Sequence, residues 1–315
     1  MSDTRLQALG KLALVFPGQG TQHVGMGQEL YASYPEARRL FDQADDSLGF
    51  SLSRLCFEGP ETDLGDTSNA QPAILTVSAA LLALLQSRLG DELTPCFVAG
   101  HSLGEFTAYY AAGALGFTES IRLVRLRGEL MKQAGEQNPG AMAAILGLDP
   151  ETLRSVCTES GEVWLANDNC PGQTVLSGTR ASLAQALQRA GEKGARRVVP
   201  LAVSIPGHCP LMAPAAGLLA EYIRDVPFQP AAIPVIANAT GRPIVEPEEI
   251  RAEIIAHLTS GVQWADSVRY MIDAGVRAFL EVGPKSVLCG LIRQIDRTVQ
   301  VLNVSTFADI DALGA

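Results

Sequence analysis

The five apolar residues Leu12 to Phe16 run without interruption into Pro17-Gly18-Gln19-Gly20, and Cys96 to Ala99 runs in the same way into Gly100-His101-Ser102-Leu103-Gly104. Short apolar runs that stop at glycine-rich turns and give way to amphipathic stretches mark strands covered on both faces, because flanking helices remove the polar alternation of a half-exposed strand. This punctuation restricts the chain to an α/β fold with a largely parallel sheet. Helical periodicity follows the first strand near residues 25–46 and 71–88 and the second near 105–114 and 119–135.

Between Ala141 and Val203 the rhythm changes to strand (AMAAILG), helix opened by Asp149-Pro150-Glu151, strand (VWLAN), strand (TVLSG), helix (ASLAQALQRAG) and strand (RRVVPLAV). That βαββαβ order is ferredoxin-like. The expected architecture is a larger α/β-hydrolase-like domain with a parallel sheet, residues 1–138 and 205–315, into which a ferredoxin-like subdomain, residues 139–204, is inserted. Strands at Val235 to Asn238 and Ala278 to Val282, with helices near 211–224, 247–258, 264–274 and 285–295, complete the larger part.

Composition narrows the function. Lys and Arg number 24 against 34 Asp and Glu, a formal net charge of -10, which excludes a nucleic-acid protein, since phosphate binding relies on clustered positive charge. With 47% hydrophobic and 18% charged residues the chain is too apolar to be intrinsically disordered. Six cysteines (56, 96, 157, 170, 209 and 289) show no C-x-x-C pair and read as buried thiols of a reducing compartment. Met1 to Gly10 lacks the basic-then-apolar layout of a signal peptide, so the cytoplasm is the expected location. Ser68 to Ser87 and Val198 to Ala220 carry no formal charge, but internal proline and polar residues argue against a membrane span in either.

Gly100-His101-Ser102-Leu103-Gly104, set between a strand and a helix, has the context a G-x-S-x-G nucleophile elbow needs. Glycines on either side let the backbone close around Ser102, and the helix N-terminus offers free N–H groups to a developing oxyanion. A serine needs a base, and there are four histidines. His101 is the neighbour of Ser102 and its side chain should diverge. His23 lies in the first glycine-rich loop without further support, and His257 reads as a surface or satisfied helix residue beside Arg251 and Glu253. His208 lies in the 23-residue charge-free stretch, where four prolines stiffen the backbone and desolvation keeps an imidazole neutral. His208 is the candidate base.

On a wheel of about 100° per residue, Arg122, Arg125, Glu129 and Lys132 share one arc of the helix near 119–135, while Arg127 falls in the middle of the apolar arc. A guanidinium buried there needs a partner, either a protein carboxylate or a ligand; a ligand carboxylate would suit its planar fork. Phe16-Pro17-Gly18-Gln19-Gly20 does not space as G-x-G-x-x-G and no Walker lysine follows, so a dinucleotide is not expected; the loop could instead give a second N–H to an oxyanion hole.

Phe16 to Gly20, Gln71-Pro72-Ala73, Gly100 to Glu105, Arg127-Gly128, Gly140 to Ala144, Asn167 to Gln173, Pro206-Gly207-His208, Val262-Gln263-Trp264 and Glu281 to Pro284 occur in the order in which they resemble the malonyl-CoA:acyl-carrier-protein transacylase family, along nearly the whole chain. The resemblance implies ping-pong transfer: Ser102, deprotonated by His208, takes the malonyl group from malonyl-CoA, and the phosphopantetheine thiol of an acyl carrier protein then removes it. It also implies an oxyanion hole from the N–H groups of Gln19 and Leu103, a carboxylate clamp at Arg127, and orientation of the histidine by the backbone carbonyl of Gln263. On this reading no cofactor or metal is needed beyond the coenzyme A thioester, and the enzyme is a monomer. Gly207 departs from the Ser or Phe common before the histidine and implies tolerance of 2-substituted malonyl groups.

Three other functions compete: a serine hydrolase, a silent carrier-docking subunit, and an acyltransferase serving a polyketide synthase in trans. The first would place its histidine near the C-terminus, yet 107 residues follow His208, and intact Ser102 and His208 argue against the second. Docking of an acidic carrier would need a local basic patch, either Lys193, Arg196 and Arg197 or Lys285, Arg293 and Arg297.

Overall fold

The computed structural model describes residues 10–201, 203 and 205–314 of the chain. Most of the Met1 to Gly10 segment, Ala202 in the RRVVPLAV run and the expected boundary at Ser204 lie outside the described residues.

In chain order the elements are β1 (Leu12–Phe16), α1 (Gln28–Ser33), α2 (Pro35–Leu48), α3 (Leu52–Glu58), α4 (Glu61–Gly65), α5 (Thr67–Leu89), β2 (Pro95–Gly100), α6 (Gly104–Ala111), α7 (Phe117–Gln137), β3 (Gly140–Leu146), α8 (Pro150–Ser160), β4 (Val163–Cys170), β5 (Gln173–Thr179), α9 (Arg180–Glu192) and β6 (Arg197–Pro200). There follow α10 (Ala213–Ile223), β7 (Val235–Ile236), β8 (Pro243–Ile244), α11 (Pro247–Thr259), α12 (Trp264–Asp273), β9 (Ala278–Val282), α13 (Val287–Ile295), β10 (Gln300–Val304) and α14 (Phe307–Asp311). The helix expected over 25–46 is two helices, because Tyr34 is extended ahead of Pro35, which opens α2 at its first position.

Two sheets result. The first has six strands in the order β10-β9-β1-β2-β7-β8. All its pairs are parallel except β7 with β8. β1 and β9 are buried along their whole lengths; β1 is apolar throughout, and β9 buries Glu281, whose carboxyl accepts from the Leu288 and Cys289 N–H groups at the start of α13. The second sheet has four strands in the order β4-β5-β3-β6, paired antiparallel throughout, with α8 and α9 packed on it. Asp168 N–H donates to the Val262 carbonyl and Val262 N–H to the Ala166 carbonyl, at 2.9 and 2.8 Å, so β4 is stitched to the segment that leads into α12.

The helical stretch from Thr67 to Glu92 is apolar and long enough to cross a membrane, yet 72% of its most apolar window is buried inside the fold. α5 is thus the central core helix, and it packs against α2 and α7. Its approach to α7 depends on Gly128: a Cβ there would lie 2.7 Å from the Ser68 Cα. This close packing places Gln71 on α5 against Arg127 on α7.

Candidate active site

Ser102 stands between the end of β2 and the start of α6 with φ 52°, in the left-handed region that a non-glycine residue adopts only where the surroundings enforce it. The enforcement is visible. A Cβ on Gly100 would overlap the Gly104 backbone, and one on Gly104 would overlap the Phe16 carbonyl, so neither position admits a side chain. Asn238 completes the turn: its Oδ1 accepts from Ser102 N–H at 2.8 Å and its Nδ2 donates to the Gly100 carbonyl at 2.7 Å.

The structure brings His208 to the serine. Its Nε2 lies 2.8 Å from Ser102 Oγ, and the residue, 5% exposed, also has positive φ, at 58°. Burial, reinforced by His257, Arg127 and His101, holds its pKa well below the usual 6.5, so the ring is neutral and able to accept a proton at neutral pH. Its Nδ1 donates to the backbone carbonyl of His257 at 2.9 Å, which fixes the tautomer with the free lone pair toward Ser102.

That contact corrects one expectation: the orienting carbonyl belongs to His257, not Gln263. His257 lies in the last turn of α11, where carbonyls have no partner within the helix. Gln263 precedes α12, and its carbonyl already accepts from Ser267 N–H and Oγ at 2.9 and 2.8 Å. His257 is not a surface residue either, being 1% exposed. The other two histidines line the same cavity as His208 but are engaged with other partners. His101 Nε2 lies 2.8 Å from Asn169 Oδ1, and His23 Nδ1 is 3.3 Å from the Thr21 carbonyl.

Arg127 is 1% exposed, and its Nη2 donates to Ser102 Oγ at 3.2 Å. Nη1 donates to Gln71 Oε1 at 2.7 Å, the guanidinium sits 5.3 Å from the Phe106 ring centre, and Nε has no partner among the described residues. Among those residues no carboxylate lies within ion-pair distance of it. Burial lowers its pKa to about 10, which leaves it charged at neutral pH. A buried, charged fork held by one neutral amide beside the nucleophile is a receptor for a carboxylate.

Gln19, Leu103, Ser102, Arg127 and His208 line one cavity of about 480 Å³. Neither the Gln19 nor the Leu103 N–H is bonded to another backbone group among the described residues, so both remain available to an incoming oxygen. The cavity continues between Met131, Met142, Leu201 and Gly207, and a Cβ on Gly207 would meet only Met131 Cε at 3.5 Å and Met142 Sδ at 3.8 Å. Four residues that the sequence did not assign to the site support it: Gln71, Asn238, Glu105 and His257. Glu105 directly follows the elbow in sequence, and Gln71 opens the Gln71-Pro72-Ala73 motif.

An elbow serine on a parallel sheet, a desolvated histidine and a buried guanidinium define the class of serine acyltransferases. The chain belongs to the acyl transferase domain family, which it matches over residues 13–310. It is 46% identical to the malonyl CoA-acyl carrier protein transacylase of Bacillus subtilis over 301 residues, 94% of each chain, and 42% identical to that of Haemophilus influenzae over 306 residues, 96% of this chain and 98% of the other. Among solved structures, the malonyl CoA-acyl carrier protein transacylase of Coxiella burnetii superposes with TM-score 0.93 at 38% identity, covering 98% of this chain and 99% of the other. A malonyl-transacylase solved in complex with a type II polyketide acyl-carrier protein superposes with TM-score 0.93 at 39% identity, covering 96% and 99%.

Proposed function

We propose that the chain moves a malonyl group from malonyl-CoA to the phosphopantetheine thiol of an acyl carrier protein, in fatty acid synthesis. The observation that carries the reading is Arg127, charged, buried and without a carboxylate partner among the described residues, donating to the nucleophile's own oxygen. The malonyl carboxylate takes the fork of Arg127, which sets the thioester carbonyl beside Ser102. His208 Nε2 accepts the Ser102 proton as Oγ attacks; the tetrahedral oxyanion is held by the Gln19 and Leu103 N–H groups; the coenzyme A thiolate leaves with that proton. In the second half the carrier thiol gives its proton to His208 and attacks the malonyl-serine ester, and Ser102 is regenerated. The chemistry is complete with these groups, so no resident cofactor or metal is required.

Gly207 leaves room beside Met131 and Met142, so 2-substituted malonyl groups should also load. We place the enzyme in the cytoplasm as a monomer, with residues 139–204 as a ferredoxin-like subdomain. The strand order β4-β5-β3-β6 and its antiparallel pairing support that division. Service to a polyketide carrier is a second reading, favoured by the structural likeness to the polyketide carrier complex. The test is transfer from malonyl-CoA to fatty-acid and to polyketide carrier proteins: preference for the former supports the pathway proposed, and preference for the latter supports the second reading.

A further inference from the structure

Behind the Ser102–His208 pair lies a buried carboxyl group that the mechanism does not use. Glu105, in the first turn of α6, is 0% exposed. Its Oε1 accepts from Asn238 N–H at 2.9 Å, and Asn238 in turn accepts from Ser102 N–H. Its Oε2 lies 2.8 Å from Nδ1 of His257, whose carbonyl accepts from His208 and whose ring stacks on the His208 ring at 4.9 Å with the planes 19° apart. The two oxygens of one carboxyl are therefore divided between the two halves of the dyad.

We infer that Glu105 and His257 are positioning residues, a buried strut that holds the nucleophile and its base in mutual register. A carboxyl left without water or partners in the core would be costly, so its retention there calls for such a use. The inference rests on the reading of Ser102 and His208 as the acyl-transfer dyad. Burial pushes the Glu105 carboxyl up to about 8, so near neutral pH it carries a proton, and its Oε2 meets His257 as a close polar contact and not as an aligned hydrogen bond. The neighbouring Glu253, also raised to about 8 by burial and by Glu105, accepts from Ala239 N–H at 2.8 Å. Burial keeps His257 neutral. The charged or titratable groups facing these rings are Arg127 from α7, His101 and Glu105 from the elbow and α6, and Glu253 from α11; Tyr109 lies against Glu105.

The test compares Glu105→Ala, Glu105→Gln and His257→Ala by single-turnover malonyl loading, with the rate expressed per folded enzyme as measured by thermal melting and circular dichroism. Glu105→Gln keeps an acceptor for Asn238 and a polar group of the same shape against His257. It is expected to load at close to the wild-type rate, whereas Glu105→Ala and His257→Ala load about tenfold or more slowly with KM for malonyl-CoA unchanged. In His257→Ala the acid limb of the pH profile should also move up toward 6.5, because the stacked ring that helps desolvate His208 is gone. Alanine variants whose melting temperature falls while the rate per folded enzyme and the acid limb stay put would overturn the inference. So would a Glu105→Gln variant as slow as Glu105→Ala. Absence of malonyl loading in the wild type would instead overturn the dyad reading itself.

Discussion

Ser102, His208 and Arg127 are each recognisable from local sequence, because each sits where its residue type is costly unless used. The serine lies between two glycines that cannot be replaced, the histidine lies in a charge-free stretch, and the arginine lies in the middle of an apolar arc. Replacing Ser102 with Ala should abolish the acyl-enzyme in a radiolabelled malonyl-CoA assay. Replacing Arg127 with Ala should lower malonyl loading by about 10²-fold or more, the equivalent of one charge-assisted bidentate contact, while acetyl loading falls little or rises. Equal loss for both acyl groups would make Arg127 structural. The pH dependence follows from His208. Its folded-state pKa lies below 6.5, so loading should hold as pH falls through 6.5 and decline only at lower pH, where the ring becomes protonated and cannot accept the serine proton. A stopped-flow profile with its acid limb at 6.5 or above would contradict the desolvated base.

At the scale of the element, the long helices α5, α7 and α11 were legible from periodicity, but the break at Tyr34, the short helices α3, α4 and α14, and the contacts between turns were not. The arc argument that singled out Arg127 applies equally to α11, where Ile250, Glu253, Ile254, His257 and Leu258 form one buried stripe. The charged neighbours of His257 obscured it, since Glu253 belongs to the buried stripe and not to a solvated face. The orienting carbonyl was assigned to Gln263 on the resemblance alone; which carbonyl is free beside His208 depends on how the last turn of α11 packs, and that is not legible in the sequence. Packing between elements yields its own prediction. Gly128→Ala would gain about 1 kcal/mol of helix propensity on an isolated helix, but here its Cβ would press on the α5 backbone at an overpacking cost of about 1–3 kcal/mol. The variant should melt lower than the wild type and discriminate less between malonyl and acetyl, because Arg127 and Gln71 are held by that helix pair.

At the scale of the whole molecule, a net charge of -10 sets the problem of docking an acidic carrier. The two basic clusters differ in their relation to the cavity. Lys285 donates to the Gly20 and Gln22 carbonyls at 3.3 and 3.5 Å, on a loop that lines the cavity, whereas Lys193, Arg196 and Arg197 are exposed at the start of β6, the edge strand of the second sheet. Reversing Lys285 to Glu should therefore raise KM for the carrier protein several-fold, with a smaller effect on loading from malonyl-CoA. A larger effect from reversing Lys193, Arg196 and Arg197 would move the docking face to the second sheet. None of this placement was available from the sequence, because it depends on how the two sheets are set around the cavity.

The central claim is that this cavity loads a carboxylated acyl group onto Ser102, and intact-protein mass spectrometry after mixing with malonyl-CoA or acetyl-CoA tests it most directly. The account predicts one malonyl group on the Ser102 peptide, absent from Ser102→Ala, and far weaker acetyl loading. Acetyl loading as efficient as malonyl, or a malonyl adduct that survives in Ser102→Ala, would contradict it.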